Sequence, residues 1–457
     1  MKIIEMLLKK LGGEIKLQIK KRDSSAILKS LSGGVVPNRG LQYVMVGRSE
    51  EVRQIISELK EVKEGTSLIK FLIGRFGSGK TFMQAMIQQV AFKEKFVVTK
   101  ADFTPERRLY GSDGKAKSLY TEITKNLSTS TMVEGNALEI ILEKWINEVQ
   151  MNVVNEKEYG CVDFDNEDFV KDVKTKINSI VTSIDELTGG YDFAKILNIY
   201  FESYIKEDEE RRRCALRWLR GEYSTKTEAR QDLGVRDIIG DNNYYEYIKV
   251  LVKFVRQIGY SGLVINLDEA INLYKINHPQ TREKNYETIL KIFNDILQGN
   301  LEGLYITFGG TLEFLEDERK GLFSYEALKS RLRGNKFETD EFRDLSQPVI
   351  KLKPLSYSEQ FVLLQKLREI HSVHYGYTSD IIDEEIKNFI RSEYTRPGAQ
   401  ERITSRDIII TFLGALDILH QNPNYDRTEI FGYKSTVSQV EENGTSSINN
   451  RFKKSYQ

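Results

Sequence analysis

The sequence predicts an α/β protein whose core is a five-stranded parallel sheet with helices on both faces. Two observations support this prediction: five short apolar runs have the length of buried strands, and stretches with helical periodicity separate them. Buried parallel strands appear as continuous apolar runs, and helices normally connect them. The five predicted strands are Leu68–Ile73, Phe96–Thr99, Leu263–Leu267, Leu304–Phe308 and Val349–Lys353.

The spacing of these runs predicts the domain organisation. A long stretch of helical periodicity and mixed charge separates the second run from the third, which indicates a large helical insertion. After the fifth run, capping-box patterns begin at Ser356 and Thr404, which predicts a C-terminal helical lid. The predicted segments are an N-terminal arm (1–40), the first part of the core (41–105), the insertion (106–245), the second part of the core (246–355), the lid (356–420) and a flexible tail (421–457).

Composition excludes several classes of protein. The 457 residues include 67 Lys and Arg and 67 Asp and Glu, so a globally basic nucleic-acid coat is excluded, although a local basic patch is not. Two cysteines are too few for a disulfide framework. The longest nearly apolar run, Ile408–Leu419, contains Asp417 and is shorter than the roughly 20 residues of a membrane span. Charges at Glu5, Lys9 and Lys10 make a poor secretion signal, so we expect a cytoplasmic protein.

The strongest motif follows the first predicted strand. The residues Gly74-Arg75-Phe76-Gly77-Ser78-Gly79-Lys80-Thr81 match the phosphate-binding pattern GxxxxGK[ST]. Its glycines let backbone N–H groups point at phosphate oxygens, its lysine reaches the β- and γ-phosphates, and its threonine ligates Mg²⁺. The predicted ATP-binding residues are Gly74, Gly77, Ser78, Gly79, Lys80, Thr81 and Phe82, and Lys80 is also a predicted catalytic residue.

A pair of carboxylates follows the third predicted strand. The run Leu263–Leu267 ends in Asp268 and Glu269, the Walker-B pattern. We expect Asp268 to hold Mg²⁺, and Glu269 to orient and polarise the attacking water. Together with the phosphate-binding loop, this pair predicts a P-loop NTPase, and the glutamate favours hydrolysis over binding alone.

Other chemistries find little support in the sequence. His371 and His374 have the i,i+3 spacing of a helical metal pair, but no third ligand is apparent, so we predict an exposed surface pair. No Gly-x-Ser-x-Gly elbow and no Cys–His nucleophile are visible.

The order of these motifs resembles that of AAA+ ATPases near the origin-recognition or STAND branch. A Gly-Arg-x-x-Glu pattern (Gly47, Arg48, Glu51) precedes the phosphate-binding loop, and a helical lid follows the carboxylate pair. The resemblance covers roughly 41–105 and 246–420. It implies an AAA+/ASCE-like core with strand order 5-1-4-3-2, with Gly47 and Arg48 near the base or the lid and Mg²⁺·ATP between core and lid.

The AAA+ resemblance also implies roles for residues beyond the two motifs. Thr311 would touch the γ-phosphate or the water, with Thr307 as the alternative. Arg331 would be the arginine finger presented to a neighbouring subunit, with Arg333 in reserve. Arg406, at the start of a lid helix, would contact the nucleotide in cis.

A narrower resemblance covers about 30 to 420. The chain is similar to the BrxD-like ATP-binding proteins of bacterial anti-phage defence loci, of the BREX and Shango kinds. The segments that carry this similarity are 104–109, 218–222, 267–274, 309–315 and 321–328. The resemblance implies an ATPase that works beside a helicase or other defence components. The long insertion departs from a minimal AAA+ core, so we expect it to carry family-specific work, including DNA contacts if DNA is bound.

The sequence therefore predicts an oligomeric, Mg²⁺-dependent ATPase that couples ATP binding and hydrolysis to remodelling or loading of a DNA or helicase partner. A homo-oligomer and a helicase or other defence-system partner are expected, DNA is a possible ligand, and no membrane association is expected. The alternative is a nucleotide-dependent switch or scaffold that recruits a helicase or nuclease with little turnover. A nucleotide kinase is disfavoured because no acceptor-substrate motif is found.

Overall fold

The computed structural model describes residues 19–185, 189–339, 342–395 and 403–431. Most of the predicted tail and the first 18 residues of the predicted arm lie outside this part of the chain. The chain forms two compact units. The larger unit spans Gly47–Pro354, and the smaller unit combines the residues up to Val46 with those from Leu355 onward.

A five-stranded, all-parallel sheet forms the centre of the larger unit. Its spatial order is β2-β3-β4-β1-β5, which confirms the predicted order. Each predicted run contains a strand, although the ends differ by up to three residues. The strands are β1 (Leu68–Ile73), β2 (Val97–Asp102), β3 (Leu263–Asp268), β4 (Leu304–Gly310) and β5 (Val349–Lys351).

The strand register brings the motifs to one edge of the sheet. Ile73 pairs with Gly310, and Asp102 pairs with Asp268. The carboxyl ends of β1, β2, β3 and β4 therefore coincide. Ligands of open parallel sheets bind at the carboxyl ends of the strands, so this edge is the expected position of a binding site.

Helices surround the sheet, and the stretch predicted as an insertion packs into the same apolar core. That core runs continuously from Phe71 in β1, through Trp145 and Trp218, to Phe314. The boundaries predicted for the insertion remain predictions. The helices of the larger unit are Ser49–Lys63, Lys80–Lys93, Lys115–Lys125, Leu138–Glu156, Glu167–Asp185, Gly190–Ile205, Glu209–Leu219, Lys226–Leu233, Tyr244–Gln257, Ile271–Tyr274, Pro279–Leu297, Leu312–Glu316 and Glu326–Leu332, with a short 3₁₀ turn at Leu322–Ser324.

The smaller unit is helical. Both predicted capping boxes form, one from Ser356 and Glu359 and the other from Thr404 and Asp407. A helix from the region predicted as an arm packs against the two helices that these boxes begin. The arm region therefore contributes to the helical unit. The helices of this unit are Lys21–Ser32, Leu41–Val44, Tyr357–Tyr375, Asp383–Thr395, Ser405–Gln421 and Thr428–Phe431.

The prediction of an exposed histidine pair is wrong for His371. Its side chain is 1% exposed, with Nε2 3.1 Å from Asp417 Oδ1 and Nδ1 2.8 Å from the Tyr377 hydroxyl. Burial lowers the pKa of His371. Across the described ranges, no group of three or more His, Cys, Asp or Glu residues is arranged to hold a metal ion. No helix in those ranges is long and apolar enough to cross a membrane.

Candidate nucleotide-binding site

The phosphate-binding loop, Gly74–Thr81, leads from β1 into the first turn of the helix Lys80–Lys93. Two of its residues have positive φ angles, Gly77 at 77° and Gly79 at 92°, a region that glycine enters at little cost. A Cβ atom at Gly74 would lie 2.6 Å from the Leu352 carbonyl oxygen and closer still to Ser78 Oγ. Glycine is therefore suited to all three positions: Gly77 and Gly79 have left-handed backbone conformations, and Gly74 lies too close to Leu352 and Ser78 to carry a side chain.

The loop and the start of the helix behind it contain polar groups that have no hydrogen-bond partner within this segment. Ser78 is 3% exposed, and its Oγ has no hydrogen-bond partner in the described part of the chain. The first N–H groups of the following helix have no acceptor within that helix, and its dipole favours negative charge. The loop thus has the character of an anion-binding cradle.

The Lys80 ammonium closes over the loop. Its Nζ donates to the carbonyl oxygens of Gly74, at 3.0 Å, and Arg75, at 3.1 Å. These bonds keep the ammonium beside the cradle, where an incoming phosphate oxygen can exchange for a carbonyl.

A hydrogen bond joins the two motifs. Thr81 Oγ1 donates to Asp268 Oδ2 at 2.8 Å, and the Glu269 backbone N–H donates to Asp268 Oδ1 at 2.9 Å. A Cβ atom at Gly309 would collide with that same Oδ1. The Asp268 carboxylate is therefore held tightly at the edge of the sheet. A hydroxyl and a carboxylate are hard oxygen donors, so this pair fits a Mg²⁺ ion.

Glu269 lies beside this pair in an unusual conformation. Its φ is 55°, which few residues other than glycine adopt and which costs on the order of 1–3 kcal/mol. Its side chain is exposed. Although the residue as a whole is exposed, neighbouring groups displace part of the water around its carboxyl group; this desolvation, followed by the charge of Asp268, raises the pKa of Glu269, while the Lys80 ammonium opposes the rise. The chain thus turns sharply after β3 and presents a second carboxylate at the open edge.

Asp102 is a third carboxylate at this edge, and sequence reasoning missed it. We predicted that the second strand ends at Thr99, but β2 continues for three more residues and pairs Asp102 with Asp268. Burial, followed by the charge of Asp268, raises the pKa of Asp102. The sequence signal for a longer strand was the alternation of polar and apolar residues in Lys100, Ala101 and Asp102.

The two candidate threonines, Thr307 in β4 and Thr311 directly after it, differ in their surroundings. Thr311 follows the last residue of β4 and caps a short helix, accepting from the Phe314 N–H at 3.4 Å. Thr307 is fully buried. Its Oγ1 donates to Asn266 Oδ1 at 2.8 Å and accepts from Gln84 Nε2 at 3.3 Å. Thr311 therefore lies at the edge that carries the motifs, whereas Thr307 lies inside the sheet.

The candidate arginines lie in three places. Arg331 is half-buried, and in the described ranges its side chain hydrogen-bonds only to its own helix, through Nη1 and the Ala327 carbonyl at 2.8 Å. Arg333 is exposed directly after that helix. Arg406 lies in the first turn of the helix Ser405–Gln421 in the smaller unit. The roles expected of these arginines remain predictions.

Arg48 contacts the phosphate-binding loop directly. Its guanidinium is buried, and Nη2 donates to the Ser78 carbonyl at 3.0 Å and also to the Lys353 carbonyl. The preceding Gly47 has a φ of 65°, which turns the chain into this position. Arg48 therefore links the loop, at the Ser78 carbonyl, to the segment that follows β5. Phe82, in the first turn of the helix behind the loop, is partly buried.

Comparison with protein families places this arrangement in a known group. Residues 19–435 match the family model described as BREX system ATP-binding protein BrxC/D. The chain belongs to this family. Comparison with curated proteins finds no match. Membership of the BrxC/D family confirms the resemblance to BrxD-like ATP-binding proteins and implies nucleotide binding. The matched range includes both motifs and the described helices of the smaller unit.

Proposed function

We propose that this BrxC/D family member is a Mg²⁺-dependent ATPase of the AAA+ type that acts in bacterial anti-phage defence. The observation that carries the proposal is the 2.8 Å hydrogen bond from Thr81 to Asp268, with the exposed Glu269 directly beside it. This geometry unites a phosphate-binding loop and a carboxylate pair at one edge of a parallel sheet. The strand order agrees with the AAA+ plan.

Nucleotide binding is assigned to the loop and the helix behind it. The backbone N–H groups of residues 77–82 and the Ser78 hydroxyl would donate to phosphate oxygens, and Lys80 would neutralise their charge. Thr81 and Asp268 would hold Mg²⁺, which supplies further charge neutralisation when bound.

Hydrolysis is assigned to Glu269. Its carboxylate is exposed at the edge where the terminal phosphate would lie, so it can orient a water molecule and accept a proton from it. A raised pKa makes Glu269 a stronger base than an ordinary glutamate. Thr311, directly after the neighbouring strand β4, would hold the same water or the terminal phosphate.

Arg331 is assigned to the site of a neighbouring copy in an oligomer. Its guanidinium would exchange its hydrogen bond to the Ala327 carbonyl for the terminal phosphate of a nucleotide bound by the neighbour. Hydrolysis would then depend on assembly, and it would drive remodelling or loading of a DNA or helicase partner. Arg406 is proposed to contact the nucleotide in cis.

Steady-state ATP hydrolysis across a range of protein concentrations, with and without double-stranded DNA, tests the proposal. We expect a rate per subunit that rises with concentration and with DNA. Arg331→Ala should lower the rate by about 10³-fold or more while ATP still binds, and Arg333→Ala should have a smaller effect. ATP binding without turnover under every condition would favour the nucleotide-dependent switch instead.

A further inference from the structure

The chain passes between the two compact units at two points. One crossing lies between Val46 and Gly47, and the other lies between Pro354 and Leu355. Arg48 and Lys353 are each one residue inside the larger unit at these crossings. Because Arg48 Nη2 donates to the Lys353 carbonyl, the two crossings are tied together by one side chain.

The same side chain holds the phosphate-binding loop. Arg48 Nη2 also donates to the Ser78 carbonyl at 3.0 Å. The Leu352 N–H donates to the Ile73 carbonyl at 2.7 Å, and a Cβ atom at Gly74 would lie 2.6 Å from the Leu352 carbonyl. The loop therefore lies against the segment that leads to the second crossing, and no added atom fits between them.

A buried carboxylate fixes the position of Arg48. Glu51 is 2% exposed, with Oε1 3.7 Å from Arg48 Nη1 and 2.8 Å from Arg343 Nη1. Arg343 Nη2 donates in turn to the Lys351 carbonyl at 3.1 Å. Arg48 and Arg343 therefore share the Glu51 carboxylate, and each donates a hydrogen bond to a backbone carbonyl at or just after the end of β5. A lysine could not reproduce this, because only the planar guanidinium presents several donors in a fixed fork.

We propose that Arg48 is a positioning residue that transmits nucleotide occupancy of the loop to both chain crossings. The inference rests on the proposed function, since it requires nucleotide at Gly74–Thr81. A phosphate that orders the loop restrains the Ser78 carbonyl, and through Arg48 it restrains Gly47 and Lys353. Coupling of this kind is reciprocal, so restraint at the crossings also strengthens nucleotide binding.

Hydrogen exchange of the full chain, with and without Mg²⁺ and the slowly hydrolysed analogue AMP-PNP, tests the proposal. In the wild type, AMP-PNP should slow amide exchange in the loop and at both crossings, by about 5- to 150-fold at the crossings. In Arg48→Lys the loop should still be protected, but the crossings should no longer respond. Arg53→Lys is the matched control, because Arg53 is exposed on the helix Ser49–Lys63 that directly follows Arg48, and it should behave as the wild type.

The possible outcomes separate the inference from the proposed function. If AMP-PNP does not protect the wild-type loop, the proposed function fails. If the loop is protected while the wild-type crossings do not respond, or if Arg48→Lys responds as the wild type does, the inference is overturned. If Arg48→Lys does not fold, Glu51→Gln is the second variant, because it removes the negative charge beside Arg48 and keeps the shape of the side chain. It should weaken the response at the crossings and leave loop protection intact, and an unchanged response would also contradict the inference.

Discussion

Two lysines ten positions apart, one in β1 and one in the loop after it, illustrate the difference between a structural and a functional charge. Lys70 is 1% exposed, and its ammonium lies 2.6 Å from Glu58 Oε1. Lys80 is partly exposed, and its ammonium donates to two carbonyls of its own loop. The Lys70 ammonium additionally donates to three backbone carbonyls, those of Leu345, Ser346 and Gln347.

The partners of Lys70 leave no room for a ligand. Glu58 Oε2 accepts from the Tyr305 hydroxyl at 2.8 Å, and Oε1 accepts from Gln54 Nε2 at 2.9 Å. Burial and the charge of Glu58 raise the pKa of Tyr305 well above its usual value. Every charge in this buried cluster has a protein partner, so the cluster can only stabilise the fold. At the carboxyl edge of the sheet, Ser78 Oγ has no partner in the described ranges and Glu269 is exposed, as a ligand site requires.

The largest effect is expected from Lys70→Met. Removing one member of a buried ion pair leaves Glu58 as an uncompensated buried charge, so the free energy of unfolding should fall by about 3–5 kcal/mol. ATP affinity of the remaining folded protein should not change. Urea unfolding and equilibrium nucleotide binding measure the two quantities, with the exposed Lys60→Met as control. A loss of ATP affinity without a loss of stability would reverse the assignment of the two lysines.

The next largest effect, on catalysis rather than on stability, is expected from Gly309→Ala. Its Cβ would displace the Asp268 carboxylate, and a misplacement of about 1 Å can lower a rate by on the order of 10²-fold. The expected result is slower ATP turnover together with a higher Mg²⁺ requirement. Gly414→Ala, where an added Cβ meets nothing within 4 Å, is the control. Unchanged turnover would show that the position of Asp268 does not matter.

Lys80→Ala should weaken ATP binding, and it should also slow turnover because Lys80 neutralises charge on the phosphate oxygens. A hydrogen bond to a charged group contributes about 1.5–3 kcal/mol, so ATP affinity should fall roughly 10- to 100-fold. Thermal stability should stay near that of the wild type, in contrast to Lys70→Met. Equilibrium ATP binding and thermal unfolding measure these two quantities. Lys93→Ala, at the exposed end of the same helix, is the control for both.

The smallest effect is a shift in pH dependence caused by Asp102→Asn. The Asp102 charge helps to raise the pKa of Glu269, so its removal should lower that pKa. Glu269 would then stay ionised to lower pH, and the acid limb of the turnover profile should move to lower pH. The exposed Asp165→Asn should leave the profile unchanged. A shift to higher pH would contradict the role given to Glu269.

Local pattern was sufficient to predict the sheet. Each strand contains a short run of mostly apolar residues, and the strand order followed from the resemblance that the loop and carboxylate motifs carry. The capping boxes at Ser356 and Thr404 were also predictable, since their partners lie three residues away.

Contacts between distant segments could not be predicted in this way. Arg48 joins Ser78 to Lys353, and Lys70 joins Glu58 to residues 345–347, so only the folded chain brings these groups together. The burial of His371 likewise depends on packing between helices that are distant in sequence. Strand ends are set by pairing with neighbours, which is why Asp102 was missed.

A single-turnover experiment tests the central claim most directly. ATP is mixed with an excess of protein and Mg²⁺ at a concentration that permits assembly, and the bound nucleotide is identified over time for the wild type and for Glu269→Gln. Conversion of bound ATP to ADP by the wild type, slowed by about 10²- to 10⁴-fold in Glu269→Gln, is the predicted result. Equal conversion by both proteins, or unchanged ATP in both, would contradict hydrolysis by Glu269 at this edge of the sheet.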